Sequence, residues 1–117
     1  MAAERSLAPM LALVTCRDAA DVDADLPPLL DALPEARAVA WDDPTVEWSS
    51  FDAAILRSTW NYPARYPDFI AWLRTAASVT RLWNPLGTVE WNTDKHYLRD
   101  LAQRGFPVVA TWFVEPG

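Results

Sequence analysis

The chain has 117 residues, with sixteen acidic and ten basic side chains for a formal net charge of −6, and is 51% hydrophobic against 22% charged. That length and balance suit one compact globular domain and exclude a disordered chain. The acidic excess, with basic residues scattered along the chain, argues against nucleic acid or an anionic membrane as partner, and the aliphatic runs are too short to cross a bilayer.

In chain order, MAAERSLAPMLALVTC reads as a short leader and a first strand rather than a secretory signal, because its apolar run is brief and ends in Arg17 and Asp18. The lone Cys16 can form no internal disulfide and has no companion zinc ligands, so a reducing, cytoplasmic setting is expected. Met10 to Thr15 is apolar without alternation, the pattern of a strand covered on both faces in a parallel sheet. After an Asp-rich loop, Asp25 is placed to cap a helix whose first turn tolerates Pro27 and Pro28 and whose Leu29, Leu30 and Leu33 form the inner stripe. ARAVAW, 36–41, reads as a second strand and Asp42, Asp43 and Pro44 as a turn. Thr45 to Phe51 carries no clear period and is expected to be irregular. Asp52 to Leu56 makes a third strand, and Pro67 to Ser78 a crossover helix with Phe69, Ile70, Leu73, Ala76 and Ala77 at helical spacing. TRLWN, 80–84, is a short fourth strand. A helix capped by Asn92 or Thr93 is expected to run through Arg104, stopped by Gly105 and Pro107, and VVATWFV, 108–114, reads as a fifth strand.

Strands alternating with helices predict an α/β fold with a doubly wound, mostly parallel sheet. In such a sheet the loops leaving the carboxyl ends of the strands share one edge, where ligands bind. That edge would carry Thr15 to Asp18, Asp42 and Asp43, Arg57 to Tyr62, and Asn84.

The only glycines are Gly87, Gly105 and Gly117, so neither a GxGxxG nor a GxxxxGK[ST] phosphate loop can be written in this chain. The only histidine, His96, precedes Asp100 by four residues, as a surface pair would, and no His and carboxylate cluster suggests a metal site. Arg57 stands out, because a guanidinium at the end of a buried strand must be paired and its planar fork matches a carboxylate or phosphate. Either it meets a ligand or it pairs with an aspartate such as Asp42 or Asp18. Ser58, Thr59, Asn61 and Tyr62 behind it could orient a small polar ligand or cap the loop's own backbone. Trp60, Trp41 and Trp83 lie at similar strand ends, where packing is the commoner use of tryptophan. Lys95, the sole lysine, falls in a first helical turn that disfavours a cation. It is either solvated near Trp91 or aimed at phosphates.

Two stretches, AVAWDDPTVEWSSFDAAILRSTWNYPARYPDFIAWL and LWNPLGTVEWNTDKHYLRDLAQRGFPVV, resemble the amino-terminal part of a bacterial ATP-grasp group that includes the O-ureidoserine cyclo-ligase of cycloserine biosynthesis. Its most specific pieces are RSTWNY, with Asn61 where the group often has aspartate, and NTDK followed by a helix and GFPVV. The resemblance implies a pre-ATP-grasp domain of about four strands over residues 1–91. Residues 92–117 would be the helix and strand that open the nucleotide-binding domain. It further implies ATP and Mg2+ as cofactors of an intact ligase, with the lobes that clamp them lying later in the chain. Lys95 would lie near the nucleotide phosphates, and Arg57, Ser58, Thr59, Asn61 and Tyr62 near a small amino-acid-like substrate. No catalytic or metal-binding residue is expected within these 117 residues, and a homo-oligomer is left open. The rival reading is a stand-alone α/β module that binds a ligand or partner without catalysis.

Overall fold

The computed structural model describes residues 9–19 and 21–116, so the expected leader ahead of Met10 lies outside the described residues. Two compact units divide between Leu86 and Gly87.

The first unit is a four-stranded sheet built from β1 (Leu11–Thr15), β2 (Ala36–Ala40), β3 (Ala53–Ser58) and β4 (Arg81–Leu82). All pairs are parallel and the order is β2-β1-β3-β4. Helix α1 (Leu26–Ala32) connects β1 to β2, and α2 (Tyr66–Val79) connects β3 to β4. From β1 the chain moves to one side, and from β3 to the other. Right-handed crossovers running in opposite directions deposit their helices on opposite faces of the sheet. The expected doubly wound α/β architecture is therefore present, and the run from Thr45 to Phe51 is irregular apart from one 3-10 turn at Trp48–Ser50.

The strand pleat sorts the core into two layers. Leu13 is buried with Leu26 and Ala36, and Leu11, Leu29, Leu30, Leu33 and Ile55 pack against them, so the leucine stripe of α1 closes one face. The other layer is aromatic. Phe69 of α2 meets Trp41 edge-on at 5.2 Å and Trp72 at 5.7 Å, and Trp72 meets Trp48 at 5.0 Å. Helix α2 buries Phe69, Leu73 and Ala76, the i, i+4, i+7 stripe of an amphipathic helix.

The second unit departs from the expected helix over 92–104. Two short helices form instead, α3 (Leu86–Asn92) and α4 (Tyr97–Gln103). Thr93 closes the first rather than capping the second, because both its backbone N–H and its hydroxyl donate to the Val89 carbonyl, at 3.0 and 2.8 Å. Helix α4 stops as expected at Gly105, whose φ of 87° lies in the left-handed region. The Phe106 N–H returns to the Leu101 carbonyl and the Gly105 N–H to Ala102, a Schellman pair. The expected strand over 108–114 is not formed. An extended segment becomes a strand only when a neighbour satisfies its backbone, and among the described residues none does. Val109, Trp112 and Val114 stand exposed.

Candidate functional site

Strand order reverses beside β1, so the crevice of this sheet opens between the carboxyl ends of β1 and β3. The β1–β3 register runs Leu13 to Ile55 and Val14 to Leu56, then jumps to Thr15 opposite Ser58. Arg57 is the extra residue. It is a β-bulge, a device that re-aims a side chain at the end of a ladder.

The re-aimed guanidinium crosses to the loop after β1. Its Nε lies 3.4 Å from the Asp23 carboxylate and its Nη2 2.9 Å from that of Asp25. The side chain of Asp23 is only 3% exposed, that of Asp25 80%, and that of Arg57 35%. One partner thus anchors the fork from below while the other stands at the rim, and neither engages Nη1. Burial alone would raise the Asp23 pKa. The neighbouring Ser58 hydroxyl, the Asp25 N–H and the Arg57 guanidinium together outweigh it and hold the carboxyl below the usual range. The partners foreseen for Arg57, Asp18 and Asp42, are replaced by Asp23 and Asp25. The expected capping by Asp25 is also corrected: its side chain makes no cap hydrogen bond to α1 and is given to Arg57 instead.

Ser58 is fully buried and its hydroxyl pairs with that of Thr15 at 3.0 Å, joining β3 to β1 beneath the bulge. Thr59 is half-buried, and its carbonyl accepts the Tyr62 N–H at 3.1 Å. Asn61 accepts from Trp41 Nε1 at 2.8 Å and donates to Asp42 at 3.0 Å. The Tyr62 ring packs 5.3 Å from Phe69. Asp42 gathers the rim, because it also accepts the Arg17 N–H at 3.0 Å and faces Arg65 at 3.4 Å, so loops after β1, β2 and β3 meet on one carboxylate. Asn84 accepts the Leu56 N–H at 2.9 Å. Trp41 is buried as packing predicts, whereas Trp60 and Trp83 are more than half exposed.

In the second unit, Lys95 lies in the turn between α3 and α4, exposed, with Nζ 5.5 Å from the Tyr97 ring centroid. The expected neighbour Trp91 instead packs at a tilt against Tyr97, with ring centroids 5.2 Å apart, and donates to Asp100 at 2.9 Å. That bond takes the carboxylate expected for His96, which pairs with Asp94 and Glu115. Among the described residues no three His, Cys, Asp or Glu side chains gather to hold a metal ion. Asp42 lies on the edge that the sequence assigns to ligands, whereas Asp23 and Asp25 do not, although the acidic run DAADVDAD directly behind β1 is a visible signal for them.

A pre-aimed guanidinium edge at a switch point can take a carboxylate or phosphate.

Comparison with known proteins adds three findings. The family model described as D-cycloserine synthetase DcsG, N-terminal domain, matches residues 11–84. The cycloserine biosynthesis protein DcsG of Streptomyces lavendulae is 43% identical over 112 residues, covering 92% of this chain and 38% of that protein. The crystal structure of D-cycloserine synthetase DcsG matches with a TM-score of 0.81 at 42% identity, covering 86% of this chain and 35% of that one. The chain therefore spans less than two fifths of the length of these relatives.

Proposed function

This chain belongs to the family of the DcsG N-terminal domain, and from that premise we propose that it is the substrate-side part of an ATP-dependent ligase of the ATP-grasp type. Such an enzyme uses ATP to activate a carboxylate or similar acyl group, which an amine-type nucleophile then attacks in joining or ring closure. The synthetase named among the relatives supports a biosynthetic bond-forming role. The observation that carries the reading is the bulged Arg57 at the switch point.

In this reading Arg57 holds the anionic group of a small amino-acid-like substrate through its Nη1 edge, with Asp23 and Asp25 fixing its direction. Ser58 and Asn61 act by holding the loop, since their polar atoms are already committed to Thr15, Trp41 and Asp42. Thr59 and Tyr62 complete the substrate side. Lys95 would meet nucleotide phosphates as a single cation. The metal and the adenine clamp would be supplied by further lobes of a longer protein, of the length of these relatives.

The test is Arg57→Ala in that longer protein. The expected result is a KM for the acceptor raised about 10- to 100-fold, the equivalent of one lost charge-assisted hydrogen bond. Because this change strands the buried Asp23, the double variant R57A/D23N serves as the folding control. A KM restored to wild type in a folded double variant would sink the substrate role of Arg57. Absence of any ATP-dependent turnover in the longer protein would favour a binding module instead.

A further inference from the structure

The sole histidine of the chain sits between two carboxylates. His96 Nδ1 lies 2.6 Å from Asp94 Oδ1, and Nε2 lies 3.3 Å from Glu115 Oε1. A neutral imidazole carries one N–H, so it would turn a lone pair toward one of these anions; only the imidazolium donates to both. The ring also stacks on Phe113, with centroids 4.2 Å apart and planes 15° from parallel, and the Arg99 guanidinium lies 4.8 Å from the same phenyl ring. One side chain at the start of α4 thus grips the extended segment at two residues, Phe113 and Glu115. That segment has no backbone ladder among the described residues, so side-chain contacts of this kind are what locate it.

We propose that His96 is a pH-sensitive clasp, closed as the imidazolium, that ties the segment bearing Phe113 and Glu115 to the turn before α4, and that its deprotonation releases the segment. The charged groups facing it are Asp94 from its own turn, Glu115 from the segment, and Arg99 across the Phe113 ring. Lys95, next in sequence, points to Tyr97. The Asp94 hydrogen bond is the main influence raising the His96 pKa, with Glu115 adding to it and partial burial opposing. A raised value in the closed state means that the clasp contributes fully below the ordinary histidine value of about 6.5 and is lost as pH rises through the raised value. The inference is independent of the ligase reading. It requires only the local geometry.

Having one histidine makes the test direct. In the isotopically labelled 117-residue chain, the imidazole signals and the backbone amides of 113–115 are followed by NMR from pH 5 to 9. The expected result is one shared midpoint above that of an unstructured histidine peptide. Glu115→Gln should shift the imidazole midpoint downward and remove the response of the 113–115 amides; Glu115 is exposed, so folding is not at risk. Asp94→Asn should lower the midpoint further. Amides of 113–115 that do not follow the histidine, or an imidazole midpoint unmoved by Glu115→Gln, would overturn the clasp.

Discussion

At the scale of single residues, the loop after β3 spends most of its polar atoms on its own assembly. Asn61 is the clearest case, since its amide oxygen and nitrogen serve different partners: it accepts from an indole N–H and donates to the Asp42 carboxylate. Aspartate at this position would have the right shape and the wrong chemistry for this rim, because an ionised carboxylate cannot donate. Asn61→Asp would set two carboxylates face to face where a charge-assisted bond now stands. A loss of about 1–3 kcal/mol is expected, read as a lowered urea midpoint at pH 7. An unchanged midpoint would mean that Asp42 does not tie the strand-end loops together. Arg57 was legible in sequence as a cation needing a partner. Which partner it takes was not, because the bulge that turns it toward Asp23 and Asp25 is a register jump between two distant strands, and nothing local in AAILRS encodes it.

At the scale of elements, helices with a long stripe were the most readable. Helix α2 forms over Tyr66–Val79 where spacing placed it over 67–78, because five apolar side chains at helical intervals leave no other way to bury one face. Leu73 is at the centre of that stripe and wholly buried. Leu73→Ala is expected to cost about 2–5 kcal/mol, whereas Val79→Ala, at a position half exposed at the helix end, should stay within about 0.5 kcal/mol. Equilibrium urea unfolding compares the two. The stretch after Asn92 misled for a physical reason. Asn92 and Thr93 are good helix starters, but a threonine hydroxyl can equally donate to a carbonyl of the preceding turn, and Thr93 does so, while Asn92 is the last residue of α3. The segment VVATWFV has strong strand propensity, yet propensity supplies no hydrogen-bond partner.

At the scale of the whole molecule, no described helix is long and apolar enough to cross a membrane, and the chain carries its own layered core within the first unit. Under the proposed reading, what it brings toward nucleotide chemistry is narrow. Lys95 is one exposed cation, no glycine-rich phosphate loop exists, and no metal-binding group of acids forms among the described residues. The 117-residue chain alone is therefore expected to fold at least in its sheet unit, to show no ATPase activity above background in a phosphate-release assay, and to bind ATP weakly or not at all in calorimetry. Measurable turnover from this chain would overturn the division of labour proposed between it and the longer protein.

Unbroken apolar strands, two striped crossover helices and a polar tail behind β3 can be read from the order of residues, because they follow from which side chains water rejects and at what interval. Tertiary structure alone decided the strand order, the bulge at Arg57, the choice of Asp23 and Asp25 as its partners, and the meeting of three loops on Asp42. Those features depend on contacts between residues 19 to 43 positions apart along the chain. Their energy comes from geometry that exists only once the sheet has closed.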